Sequence, residues 1–297
     1  MEHVRTRSAG GRLKAYAELA RISNLPTCFT NALVGCALGA LSGVLSWPLV
    51  GVAAAAVALL YVGGMALNDA VDVEFDREKR PDRPIPSGRV PLFEAYTFVA
   101  VCFALALAML GALGRPALLL GSVLTATIIA YDLLHKRHAA TVLLMGACRG
   151  LVYLVTAAAV AWPLDMRVGG WLSLTLTLYT IGLTLVARSE TAAALDRRRW
   201  IAVALPLLVL LAAVPLRPEQ PWPVLLVAVL LVGWLTRAVR AVFAKPPKTM
   251  EAVLTWISGM CLVDAYFLTL LNRLDFALIA LACTALTAWG HRRILGT

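Results

Sequence analysis

The chain lacks the polar surface of a soluble domain. Only 15% of its 297 residues are charged, 60% are hydrophobic, and mean hydropathy is +0.80. Soluble domains run about 45–50% apolar, so a water-soluble globule is excluded. Cysteine is sparse. Cys28, Cys36, Cys102, Cys148, Cys261 and Cys283 fall at wide spacing in apolar segments, which excludes a disulfide framework and a zinc pattern. The first 23 residues carry Arg5, Arg7, Arg12, Lys14 and Arg21 and lack an apolar core, so no cleavable signal is expected. Nothing alternates with the period of two that a membrane β-barrel needs. No basic face with base-stacking or groove-reading elements is visible, so nucleic acid is not expected as a partner.

Long apolar runs are what the chain has in abundance. Stretches of about 18 or more such residues read as transmembrane helices. Ten are expected, near 25–43, 46–67, 92–113, 115–134, 140–162, 170–187, 199–216, 222–243, 252–271 and 274–290. The expected fold is all-α, a polytopic helical bundle in the lipid bilayer, with residues 1–297 forming a single transmembrane domain. Charge placement supports that topology. With the N-terminus inside, 22 of the 27 Lys and Arg fall on inner segments and four on outer loops, leaving Arg149 within a span. This positive-inside bias puts the basic N-terminus (1–23) and the two longest insertions, 68–91 and 188–198, in the cytoplasm. A plasma or inner membrane is the expected location. His3, His135, His138 and His291 lie at span edges and read as loop residues.

Acidic residues number only 17, yet several crowd one place. Directly after 21 uncharged residues, Trp47 to Leu67, the chain reads Asn68-Asp69-Ala70-Val71-Asp72-Val73-Glu74-Phe75-Asp76. Steps of three and four stack Asp69, Asp72 and Asp76 on one helix face. Like charges so placed repel, which favours a cation between them. An all-oxygen set points to Mg²⁺, a metal that commonly links carboxylates to substrate phosphates. The next segment carries Lys79, Arg80 and Arg83, stiffened by Pro81, Pro84 and Pro86. Acids for a metal beside bases for phosphate oxygens are the parts that diphosphate chemistry needs.

The composite motif Asn68-Asp69-x-x-Asp72-x-x-x-Asp76, then Arg80 and Arg83-Pro84-Ile85-Pro86-Ser87-Gly88, resembles the UbiA superfamily of intramembrane prenyltransferases. Arg21-Ile22-Ser23-Asn24-Leu25-Pro26-Thr27 with Asn31 fits the same pattern, as does Tyr131 followed by Lys136-Arg137. The resemblance covers roughly residues 15–200. It implies nine or so helices around a central cavity, and transfer of a prenyl group from an allylic diphosphate donor to an acceptor, aromatic or otherwise small or lipid-like. It further implies that Asn68, Asp69, Asp72 and Asp76 hold Mg²⁺, that Lys79, Arg80, Arg83 and Lys136 grip the diphosphate, and that Asn31 and Tyr131 line the cavity. Asp69, Asp72 and Asp76 thereby count as catalytic.

Members of this superfamily carry a second acidic motif after the sixth span. Here that stretch, Ala187-Arg188-Ser189-Glu190 through Asp196-Arg197-Arg198-Arg199, holds only Glu190 and Asp196 as acids. Six residues apart, the two do not share a helix face. Glu190 is carried as a catalytic candidate, Asp196 as a metal candidate, and Arg188 as a fixed charge for the diphosphate. Arg149 sits deep in the fifth span, where an arginine is costly and a functional candidate by default. It is expected to face the cavity and meet substrate or an acid such as Glu190; Asp264 in the ninth span is a similar case. Cys148-Arg149-Gly150-Leu151, the 187–190 stretch and Glu74 resemble the EboC-like branch. The alternative is a non-catalytic lipid or isoprenoid binding or transport protein on the same fold. Phosphatidyl transfer is disfavoured because its Asp-Gly-Ala-Arg pattern is absent.

Overall fold

The computed structural model describes residues 9–188, 198–214 and 216–293, and these are helical with no strand among them. In chain order the helices are α1 (Ala9–Leu19), α2 (Leu25–Gly39), α3 (Trp47–Val71), α4 (Val73–Lys79), α5 (Leu92–Leu113), α6 (Arg115–Leu134), α7 (Val142–Val160), α8 (Val168–Arg188), α9 (Arg198–Leu207), α10 (Pro221–Val242), α11 (Thr249–Leu270) and α12 (Leu274–Arg293).

Among the described residues, eight helices are long and apolar enough to cross a membrane: α3, α5, α6, α7 with its preceding 3₁₀ turn, α8, α10, α11 and α12. The other two expected spans are helical but shorter. α2 has 15 residues, twelve of them buried, so it is enclosed by protein on nearly every side. At 1.5 Å per residue it rises about 22 Å, short of a hydrocarbon core of about 30 Å. α9 contains Pro206, which removes one backbone donor and crowds the preceding turn. The chain tightens into a 3₁₀ helix over Leu208–Ala213 just beyond it. The outward faces of α5, α6 and α10 expose Phe93, Leu105, Leu119, Leu226 and Val229, as lipid contact requires.

The centre of the bundle is α2, α7, α8 and α11 packed on one another. In lipid, helices associate through close backbone approach at small residues. A Cβ on Gly35 or Gly39 of α2 would come 2.5 Å from the carbonyl oxygen of Tyr153 or Ala157 on α7. On the other flank of α7, a Cβ on Gly146 or Gly150 would come 2.8 Å from the carbonyl of Thr177 or Ser173 on α8. So α7 is clamped from both sides, and that clamp fixes the direction of Arg149 and Tyr153.

Candidate active site

The acidic run straddles a break. α3 ends at Val71, Asp72 adopts φ −87° and ψ 3°, and α4 begins at Val73. α4 carries Glu74 and Asp76 in its first turn and Arg77 and Lys79 in its last, each sign matched to the helix dipole. The prolines then end the helix, and a tight loop follows. Ser87 N–H and Oγ both donate to the Arg83 carbonyl, at 3.0 and 2.6 Å, and Val90 N–H donates to Pro84 O at 2.9 Å. Gly88 sits at φ +71°, a left-handed position that suits glycine. Arg89 ties the loop to α1 through Glu18 at 2.5 Å, and Tyr16 and Arg12 of α1 reach Glu94 at 3.0 and 2.7 Å.

This scaffold holds Arg83 against the acids. Its Nη1 lies 3.1 Å from Asp69 Oδ1 and 2.7 Å from Asp76 Oδ2. Residues seven apart differ by only about 20° around a helix and rise about 10 Å, a gap that two Asp side chains and two hydrogen bonds can span. Arg21 Nη2 adds a third contact, 3.0 Å to Asp69 Oδ1. Arg21 has φ 44° and ψ 53°, a left-handed conformation that an arginine rarely adopts. Such backbone outliers collect at functional sites.

Asp72 faces the other way. His135 Nε2 lies 3.2 Å from its Oδ2, and Lys136 Nζ lies 2.7 Å from its Oδ1. Burial pushes the Asp72 carboxyl up, but the hydrogen bonds from His135 and Lys136 outweigh it and hold the group below its ordinary value. The Asp72 hydrogen bond in turn raises His135 against the opposing effect of burial. Beside them, Asn68 Nδ2 donates to Asp132 Oδ1 at 3.0 Å. Asp69, Asp72, Asp76 and Asp132 are all buried.

Two compartments flank these side chains. The outer basin, about 420 Å³, is lined by Glu18, Arg21, Asp69, Lys79, Arg80 and Arg83 among others. The inner cavity is apolar, walled by Val57, Leu60, Leu124, Ile128, Met145 and Val152, with Tyr61, Tyr131, Asp132 and Arg149 as its polar groups. Deeper in the bundle, Arg149 Nη1 donates to Asn31 Oδ1 at 3.1 Å and to Cys28 Sγ at 3.3 Å, and its guanidinium sits 5.5 Å from the Tyr61 ring. Asn31 donates at 2.8 and 3.0 Å to the two oxygens of fully buried Asp264, which also accepts from Thr30 at 2.5 Å and from Tyr153.

Of the residues expected from sequence, the structure places Asp69 and Asp76 on Arg83, Asp72 on Lys136, and Asn68 on Asp132, in neighbouring groups at the α3–α4 junction. Lys79 and Arg80 face the basin, and Tyr131 and Arg149 face the cavity. Asn31 is spent bridging Arg149 and Asp264. Arg188 points to the loop that carries Lys136, donating to Ala139 O at 3.0 Å, His135 O at 3.3 Å and Thr141 Oγ1 at 2.8 Å. Glu190 and Asp196 lie outside the described residues. Sequence reasoning missed Arg21, Asp132 and His135. Arg21 and His135 read as membrane-edge residues, and Asp132 was not singled out.

Residues 28–260 match the UbiA prenyltransferase family. The chain belongs to that family. Solved structures of UbiA-like proteins share its fold. A structure described as a digeranylgeranylglyceryl phosphate synthase aligns with TM-score 0.62 and 21% identity over 89% of this chain and 99% of that one. A UbiA homologue from Aeropyrum pernix aligns at 0.52 and 23%, over 91% and 95%. A UbiA homologue from Archaeoglobus fulgidus bound to GPP and Mg²⁺ aligns at 0.54 and 13%, over 93% and 99%. By sequence, the chain is 40% identical over 97 residues to the digeranylgeranylglyceryl phosphate synthase of Ignicoccus hospitalis, covering 33% of this chain and 31% of that protein. It is 35% identical over 120 residues to the Methanopyrus kandleri protein of the same name, covering 40% and 43%. The chain thus spans about a third to two fifths of the curated relatives it matches. Family membership and eight apolar helices make it an integral membrane protein of UbiA type.

Proposed function

We propose that this UbiA-family protein is a Mg²⁺-dependent intramembrane prenyltransferase. It would move an isoprenyl group from an allylic diphosphate to a lipid-type or other small acceptor. The observation that carries this reading is the junction of a buried acid–base cluster with an apolar cavity. A diphosphate needs charge neutralisation, and an isoprenoid tail needs a dry wall; the two compartments offer one each. The names of its relatives and the GPP and Mg²⁺ bound by the Archaeoglobus fulgidus homologue point the same way.

The donor set suits Mg²⁺. It is all oxygen, from Asn68, Asp69, Asp72 and Asp76, and it sits beside guanidinium and ammonium groups that hold phosphate. Among the described residues, no three His, Cys, Asp or Glu side chains already form a metal cluster. Mg²⁺ is commonly completed by substrate phosphates rather than held in a protein-only cage. Bound there, Mg²⁺ supplies positive charge to the departing diphosphate. Arg83 and Arg21 now clasp carboxylates and would turn to the phosphate oxygens, with Lys136 closing from the α6–α7 loop. Leu60, Leu124, Ile128 and Val152 exclude water from the allylic carbon as its bond to oxygen lengthens. The acceptor would attack from the cavity, between Tyr61, Tyr131 and Arg149. The positive-inside bias supports a site on the cytoplasmic face.

The test is consumption of geranyl, farnesyl or geranylgeranyl diphosphate by the purified protein with Mg²⁺. Release of diphosphate by wild type and its loss in an Asp72→Asn, Asp76→Asn double variant are expected. Equal behaviour of the two proteins with every donor, or donor binding with no release, would leave only a binding protein.

A further inference from the structure

We infer that Asp132 is a metal ligand, pairing with Asp72 across Asn68 to hold the ion that carries the donor diphosphate. The inference rests on the prenyltransferase reading above. Asp132 lies in the last turn of α6, is 2% exposed, and is the sole carboxylate among the described residues lining the inner cavity. Its Oδ1 accepts from Asn68 at 3.0 Å, while its Oδ2 is buried with no hydrogen-bond partner. A buried carboxylate oxygen without a partner is costly and needs an explanation. Asp69 and Asp76 are occupied differently, since Arg21 and Arg83 pair with Asp69 Oδ1 and Arg83 with Asp76 Oδ2.

The location explains the rest. Asp132 is one helical turn before His135 and Lys136, the two side chains that grip Asp72. The His135 Nδ1 atom lies 3.0 Å from the Asp132 carbonyl, so one short segment positions both partners of Asp72 and the second acid. Two carboxylates with one amide oxygen are a typical protein share for Mg²⁺, the remainder coming from phosphates and water. Asn68 would serve the ion through Oδ1 while its Nδ2 orients Asp132. The chain is also poor in acids where a second motif is expected, with only Glu190 and Asp196 between 188 and 199. A carboxylate from α6 makes up part of that shortfall from another side of the cavity.

The experiment uses the full chain in detergent or nanodiscs, Mn²⁺ as a spectroscopic stand-in for Mg²⁺, and geranyl thiodiphosphate as an unreactive donor. Mn²⁺ affinity is read by electron paramagnetic resonance with and without the analogue. Wild type is expected to bind Mn²⁺ more tightly with the analogue present. Asp132→Asn, which keeps an oxygen for Asn68 to donate to, is expected to weaken Mn²⁺ by at least about tenfold, the lower end for loss of even a supporting group. Asp132→Cys is expected to shift preference from Mn²⁺ to Cd²⁺, because thiolate favours soft ions. A folding defect would not produce that reversal. Wild-type Mn²⁺ affinity in both Asp132 variants, with Asp72→Asn impaired, overturns the role of Asp132 and leaves the prenyltransferase reading standing. Failure of the wild type to bind Mn²⁺ or the analogue overturns both.

Discussion

Removing the guanidinium of Arg83 should destabilise the protein through one identifiable group. Asp76 is 1% exposed, and Arg83 is the side chain that pairs with it. Arg83→Met removes the charge and keeps much of the apolar stem. Asp69 retains Arg21, but Asp76 becomes a buried carboxylate without a partner. Breaking a buried pair from one side costs roughly 3–5 kcal/mol, because the remaining charge is neither solvated nor neutralised. At about 2–4 °C per kcal/mol for a large domain, the melting temperature should fall on the order of 10 °C. Thermal unfolding in detergent, followed by intrinsic fluorescence, measures this. Adding Asp76→Asn to Arg83→Met should restore more than half of the loss, since the stranded charge is gone. Arg83→Lys should recover only part of it, because an ammonium lacks the planar fork. A Tm for Arg83→Met within about 2 °C of wild type, or no rescue by Asp76→Asn, would refute the argument that this ion pair holds the acidic run together.

Three further outcomes follow from the packing and the site. Gly150→Val should push α7 from α8, since even a Cβ there meets Thr177 Oγ1 at 2.2 Å and Ser173 O at 2.8 Å; lower Tm and weaker donor binding together are expected, and unchanged values in a folded variant would count against the clamp. Asp264→Leu strands the Asn31 amide and the Tyr153 hydroxyl, costing about 1–3 kcal/mol for each polar group left buried and unpaired; Asp264→Asn, assayed by the same melts, should cost less. The Asp72–His135 pair gives a pH window. His135 has a raised native value, so its contribution is full below the unfolded value of about 6.5 and is lost as pH climbs above that through the raised native value. Asp72 has a lowered native value, so its contribution is full above the unfolded value of about 3.9 and is lost as pH falls below that through the lowered native value. His135→Gln should flatten the alkaline side of the stability profile, and an identical profile would show that the pair contributes nothing.

The helices and the acidic run were legible because each leaves a strong local signal. An Asp cluster directly after Leu67 interrupts 21 uncharged residues, and no periodicity argument is needed to see it. The spacing argument was coarser. Asp69 and Asp76 do share Arg83, while Asp72 turns to His135 and Lys136, since 60° of rotation suffices to change neighbours. Arg21 was hidden by its neighbourhood, because a basic residue before a first span is what membrane topology already demands. Asp132 was hidden by its solitude at the end of α6. The Arg149–Asn31–Asp264 network joins α7, α2 and α11. Arg149 and Asp264 stood out as buried charges, but only the folded bundle shows that Asn31 links them. The length of α2 was overestimated because hydropathy cannot tell an enclosed short helix from one that crosses the bilayer.

The most direct test is a structure of the protein with Mg²⁺ and geranyl thiodiphosphate bound. The account predicts the diphosphate between Arg21, Arg83 and Lys136, metal on the Asn68–Asp76 acids, and the geranyl tail along Leu60, Leu124, Ile128 and Val152. A diphosphate bound away from the acidic run, or a tail lying outside the inner cavity, would contradict it.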